Sequence, residues 1–304
     1  MFHAWLVKHL RPASFLPYKL ERECHTHDLW VFEGFTTYYE NVLPFRAGVL
    51  DEDKLLSLTS ARFNRVRERE GFHVESLSDA SFNAWTHLYK QTPDSAYCQA
   101  SYYGKGAVLA FMLDAALRKA GFSLDEVLKT WFHEALADPQ ARSLPDGGFF
   151  ERIPVASIAE RFKKLVTSSD RTLWENEWRC ALSTLGMSEE ADKNTPASRM
   201  HLGLQLDGLR VRYAESRGSA YAAGLFAGDE IIAVNGLRAD AATIERMIAQ
   251  AKGSTVHIHY FREHLLRSAE IEIPVNPLPQ PGTLKMKNPT EFGRAWIRSS
   301  NRQA

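Results

Sequence analysis

Hydrophobic positions recur at helical spacing over the first 186 residues and at strand spacing afterwards. Phe2-His3-Ala4-Trp5-Leu6 reads as the inside of an amphipathic helix with no N-cap residue before it. A charged, proline-bearing loop over residues 11–28 leads into a helix that begins near Leu29. Asp51 is placed to cap a second helix running through Leu55, Leu58, Ala61 and Val66. Residues 106–120 are apolar on nearly every face, which predicts a buried helix stopped by Gly121. Ser123-Leu124-Asp125-Glu126 is a capping box for the next helix, which Pro139 follows. Helices over 158–166 and 172–185 complete the region, with Gly186 as the last stop.

Residues 187–196 are polar and read as a linker. Beyond them, short β-type runs at 202–206, 210–213, 230–234, 255–261 and 270–275 alternate with glycine turns, and one helix is predicted over 241–251. Asn235-Gly236 is a strong hairpin signal. The pattern predicts a multidomain α+β protein: a mainly helical domain over 1–186, a linker over 187–196, a small β-rich domain over 197–276 and a tail over 277–304 anchored by Trp296. No internal repeat is visible.

Composition narrows the function classes. The 37 basic residues balance 37 acidic ones, which leaves no electrostatic footprint for nucleic acid or an anionic membrane. The most apolar run, 107–117, is broken by Asp114 and too short to span a bilayer. Cys24, Cys98 and Cys180 are odd in number and far apart, which points to reduced thiols. Without a signal-peptide pattern at the first residues, the expected location is cytoplasmic.

Two segments carry chemistry. Phe2-His3-Ala4-Trp5-Leu6-Val7-Lys8-His9-Leu10-Arg11-Pro12 and Leu29-Trp30-Val31-Phe32-Glu33-Gly34-Phe35-Thr36-Thr37-Tyr38-Tyr39 resemble the glycyl aminopeptidase family of gluzincin metallopeptidases. Pro17-Tyr18, Arg46-Ala47-Gly48, Ala80-Ser81-Phe82-Asn83-Ala84-Trp85 and Ser101-Tyr102-Tyr103-Gly104-Lys105-Gly106-Ala107 continue the resemblance in order. In that family a helix holds the two zinc-binding histidines of H-E-x-x-H one turn apart on one face, and the glutamate of W-x-x-E-G supplies the third ligand. The resemblance implies zinc as cofactor, His3 and Glu33 as metal ligands, Tyr103 as donor to the tetrahedral oxyanion, and peptides with a small N-terminal residue as substrates. Tyr103 has a second reading as an aromatic packing residue at the start of the buried helix. His25 and His27 read as loop histidines.

The resemblance also sets a limit. The first histidine of the motif falls at position −1 and the catalytic glutamate at position 0, so the chain as written is expected to be N-terminally truncated and not a competent peptidase. Leu6 stands where the family pattern has asparagine. A structural zinc site is worth about 10–16 kcal/mol, so one missing ligand removes on the order of 3–4 kcal/mol, and the missing base about 10²–10⁴ in rate.

Residues 197–276 resemble a PDZ domain of the bacterial protease-associated kind, through Leu202-Gly203-Leu204-Gln205-Leu206 and the run from Gly218 to Gly236. That implies binding of peptide C-termini, with Leu202, Gly203 and Leu204 offering N–H groups to the carboxylate and the 241–251 helix as the other groove wall. The alternative to a peptidase is therefore a non-catalytic PDZ peptide-binding protein.

Overall fold

In the computed structural model, which describes residues 2–280 and 282–298, side-chain caps start most of the long helices. Asp51 accepts the Lys54 N–H at 2.7 Å and opens α2 (Glu52–Arg67), after α1 (Phe35–Arg46). The short α3 (Leu77–Phe82) and α4 (Ser95–Cys98) precede α5 (Tyr102–Lys119), where Ser101 accepts the Gly104 N–H. Ser123 accepts the Glu126 N–H and donates to the Glu126 carboxylate at the start of α6 (Leu124–Ala137). Then come α7 (Ala156–Val166) and α8 (Arg171–Leu185), the last capped by Asp170 and ended by Gly186 at φ 72°. Gly186 occupies the left-handed region that a side chain disfavours. Among the described residues no helix is long and apolar enough to cross a membrane.

The chain divides into two compact units, residues 1–91 with 97–190 and 283–304, and residues 92–96 with 191–282. In the first, α5 is the central helix and is buried nearly all round, as its apolar sequence predicts, with α1, α2 and α8 against it. A short parallel pair, β1 (Arg11–Pro12) and β2 (Ser143–Leu144), ties the early loop to a later one.

Several elements differ from the sequence expectation. Phe2–Ala4 is a single 3₁₀ turn, and Val7 at φ 83° turns the chain before Leu10. Phe2 and Trp5 stack on each other at 6.2 Å between ring centroids, and beyond that pair Phe2 meets Tyr39 at 4.6 Å and Trp5 meets Phe132 at 4.4 Å. The stretch expected as a linker opens with β3 (Met187–Glu190), and part of the expected tail forms β10 (Thr283–Met286) antiparallel to it. Leu284 is buried there, its N–H on Ser60 Oγ at 2.8 Å. The tail continues into α11 (Glu291–Ile297), and Trp296 is 1% exposed with its Nε1–H on the Tyr38 hydroxyl at 2.7 Å. Residues 299–304 of that tail, like Met1 and Pro281, lie outside the described residues.

The second unit is a six-stranded antiparallel sheet in the order β4-β5-β6-β8-β9, with β7 paired to β6. Its strands are β4 (Leu204–Asp207), β5 (Arg210–Ala214), β6 (Glu230–Val234), β7 (Leu237–Arg238), β8 (Thr255–Arg262) and β9 (Leu265–Glu272). Asn235 and Gly236, at φ 49° and 77°, make the two-residue turn between β6 and β7 that the dipeptide predicts. Two helices, α9 (Ser219–Ala222) and α10 (Ala241–Gln250), complete the unit, and Ile244 and Ile248 of α10 are buried with Val211, Ile231, Val234 and Ile258. Asp229, 1% exposed, is held by both ends of the Arg262 guanidinium at 2.8 Å. Strand β9 begins earlier than expected because it pairs with β8 from Leu265 opposite Arg262 onward, and the adjacent exposed Leu265 and Leu266 give no alternation that would announce it. The architecture is a mixed α+β one.

Candidate metal centre

Glu33 is delivered by a π-helical turn, Trp30–Gly34, that runs into α1. The turn sits on α5 where two glycines meet: a Cβ on Gly34 would lie 2.6 Å from Gly106 Cα, and one on Gly106 would lie 2.9 Å from Gly34 Cα. Backbone-to-backbone approach is possible there only because neither residue has a side chain. Trp30 and Phe35, fully buried on Phe149, lock the turn from the other side. A π-turn displaces side chains from the regular helical face, and such turns are frequent at functional sites.

His3 meets Glu33 from the other end of the segment. Its Nε2 lies 3.2 Å from Glu33 Oε2, with the histidine side chain 43% exposed and the glutamate 18%. Phe2 on Tyr39 and Trp5 on Phe132 hold the turn that carries it, and Tyr39 in turn donates to Asp125 at 2.6 Å. Burial pushes the Glu33 carboxyl above its ordinary pKa, against the pull of the adjacent His3. Thr36, one turn on from Phe32, places its Oγ 3.4 Å from His3 Nδ1 and donates to the Phe32 carbonyl at 2.7 Å. Among the described residues no group of three or more His, Cys, Asp or Glu is arranged to hold a metal ion.

Tyr103 stands in the first turn of α5, stacked on Tyr102 at 4.6 Å. Burial first, and then the Glu33 charge, raise its pKa to about 12, so the phenol keeps its proton and remains a donor. His25 and His27 are turned to Phe82, at 5.0 and 4.6 Å between rings, and His25 Nδ1 lies 2.9 Å from the Phe82 carbonyl oxygen. In the second unit, Leu202 ends a π-helical turn, Gly203 adopts φ 74°, and Leu204 opens β4. The Gly203 N–H is committed to the Arg199 carbonyl at 3.2 Å, and the Leu278 N–H bonds the Met200 carbonyl at 2.7 Å beside it.

Sequence reasoning missed Thr36, whose value depends on which atoms surround it, and the Lys105–Glu75 cluster. Lys105 is fully buried, its Nζ donating to the Phe72 and Glu75 carbonyls at 2.6 and 2.7 Å under the faces of Phe72 and Trp174. Burial lowers its pKa to about 7, against the pull of Glu75 and Asp79. The Glu75 carboxylate takes the Ala100 N–H at 2.7 Å and faces His87 Nδ1 at 2.6 Å. A buried lysine in an apolar helix was the one available signal.

The comparisons with known proteins bear on the same segments. Residues 1–109 match the M61 glycyl aminopeptidase family, and this region of the chain is an M61 family region. The chain is similar over 97% of its length to the crystal structure of an aminopeptidase N family protein from Idiomarina loihiensis, at 28% identity and a TM-score of 0.82. It spans about half of that protein, 53% of its length. A serine endoprotease from Yersinia pestis is matched over 42% of this chain and 37% of its own, at 19% identity and a TM-score of 0.23, which is too low to carry a fold argument. No curated protein matches the chain.

Proposed function

We propose that the first unit is the zinc-binding part of an aminopeptidase of the glycyl type, acting on peptides with a small N-terminal residue. The observation that carries this reading is the meeting of His3 Nε2 and Glu33 Oε2 at 3.2 Å inside the region that matches the family. Two donors each about 2.0–2.1 Å from one tetrahedral zinc ion stand about 3.3–3.4 Å apart, so the pair fits a shared ion. When bound, such an ion acidifies water and polarises a peptide carbonyl. Tyr103, a protonated phenol close enough to Glu33 to feel its charge, is suited to donate a hydrogen bond to the oxyanion.

His3 and Glu33 supply two donors, while a catalytic zinc takes three from the protein. The third donor and the general base are not among the residues placed at this centre, so the 304-residue chain assayed alone is expected to be inactive. Because the chain spans about half of its structural relative, the activity and substrates of the whole are part of the proposal.

A zinc titration of the chain beside His3→Ala and Glu33→Ala variants tests the reading. Binding weaker than in a complete site by roughly two to three powers of ten, and lost in either variant, is expected. Binding unchanged in both variants refutes it.

A second reading rests on the second unit. Strand β4 is at one end of its sheet order, and the unit includes α10, a combination suited to a peptide that adds as a further strand in the manner of a PDZ domain. Calorimetry with peptides bearing a free C-terminal carboxylate tests it. Binding that disappears when the carboxylate is amidated supports this reading, and no binding to any of them refutes it.

A further inference from the structure

We propose that the cavity walled by the 14–25 loop of the first unit binds a small organic monocarboxylate, with Lys19 and Arg22 holding the carboxylate and Leu16 and Pro17 covering its apolar body. Neither His3 nor Glu33 lines this cavity, and the inference does not rest on the zinc reading.

The cavity has a volume of about 340 Å³, at the small end of the range for small-molecule sites. Its loop is pinned on both sides. Arg11 donates to the Tyr18 hydroxyl at 2.9 Å and to the Lys8 carbonyl at 2.8 Å. At the other end Trp85 Nε1–H donates to the Cys24 carbonyl at 3.0 Å, His25 Nδ1–H to the Phe82 carbonyl at 2.9 Å, and the fully buried Thr26 to Asp146 at 2.5 Å. A wall held in this way is organised before a ligand arrives, which lowers the cost of binding one.

Lys19 and Arg22 share the lining with a single carboxylate, Glu23. Among the described residues none of these three is in an ion pair, so the charges stand apart rather than neutralising one another. Two cations against one carboxylate favour an anion, while Glu23 opposes a compact dianion such as sulfate. The guanidinium of Arg22 suits a carboxylate through two parallel N–H bonds, and the Lys19 ammonium adds a point charge. Leu16, 44% exposed, and Pro17 give the same space an apolar wall, which an acyl chain covers and an inorganic ion does not.

The test is a set of ligand-observed NMR titrations of the full chain with hexanoate, its neutral counterpart hexanamide, sulfate, and a leucine-terminated tripeptide. Hexanoate presents the carboxylate as a free acid and the tripeptide presents it at a peptide end, so the tighter of the two identifies the source. Lys19→Gln/Arg22→Gln is expected to weaken that binding about tenfold, and Lys163→Gln/Lys164→Gln, which removes the same charge from α7, to leave it within about twofold. Glu23→Gln is expected to tighten it about two- to fivefold and to admit sulfate, a gain that a damaged fold does not produce. Equal loss in the two double variants overturns the inference, because the effect is then one of overall charge. Hexanamide binding as tightly as hexanoate overturns it, as does a chain that binds neither carboxylate.

Discussion

Replacing Gly34 by alanine puts the fold that delivers Glu33 under a defined load. The new methyl would stand 2.6 Å from Gly106 Cα, 2.8 Å from Gly106 C and 3.1 Å from the Tyr102 carbonyl oxygen, all backbone atoms of α5. Carbon contacts relax only at about 3.5 Å, so the turn and α5 must part by about 0.9 Å. No flexible side chain can yield at this crossing, and Trp30, Phe35 and Phe149 close it from behind. Overpacking of this kind costs about 1–3 kcal/mol and occasionally more, while alanine recovers about 1 kcal/mol of helix propensity over glycine. The expected net loss is about 1–2 kcal/mol, roughly a 5- to 30-fold larger unfolding constant. The seven tryptophans (Trp5, Trp30, Trp85, Trp131, Trp174, Trp178 and Trp296) all belong to the first unit, so urea unfolding followed by tryptophan fluorescence reports that unit selectively. A midpoint shift equivalent to less than about 0.5 kcal/mol would show that the glycine pair is incidental to the packing.

Trp296→Ala should destabilise the first unit by about 3–5 kcal/mol in the same urea experiment, because it empties a fully buried ring site and removes the donor to Tyr38; a loss below about 1 kcal/mol would mean that α11 is only loosely held. Lys105 adds a pH dependence. Its folded pKa, about 7, is below the ordinary lysine value, so between about pH 7 and 10.5 the unfolded chain binds the extra proton. The stability tied to this group is therefore present above about pH 10.5 and is lost as pH falls through about 7, with a slope of at most about 1.4 kcal/mol per pH unit. Urea midpoints for the unmodified chain and Lys105→Met from pH 7 to 9.5 should diverge accordingly, and parallel curves would contradict the buried-amine account.

Much of the fold is legible in local sequence because the forces that start and stop helices act within a few residues. Asp51, Ser123 and Gly186 mark helix ends that the structure reproduces, and the apolar run in α5 predicts its burial. Asn235-Gly236 specifies its turn through backbone conformation alone. The candidate site is legible in another way: His3, Glu33 and Tyr103 were singled out by motif resemblance, and no local periodicity would have drawn three such separated residues together. Where partners are distant in the chain, local pattern fails. Met187–Glu190 looks like a polar linker because what makes it a strand, Thr283–Met286, lies nearly a hundred residues on. The opening segment looks helical, yet it makes only a 3₁₀ turn and then reverses at Val7, φ 83°, with its rings packed on the distant Tyr39 and Phe132.

The sequence by itself determined the helix ends at Asp51, Ser123 and Gly186, the change to β-type runs beyond the 187–196 stretch and the residue types singled out for a metal centre. Only the tertiary structure decided that Glu33 leaves a π-turn rather than a regular helix, that His3 Nε2 rather than Nδ1 faces it, and that Thr36 stands behind the ring. The physical reason is range. Caps and turns are short-range hydrogen bonds between neighbours in the chain, whereas the approach of Gly34 to Gly106 and of His3 to Glu33 is set by how whole helices pack.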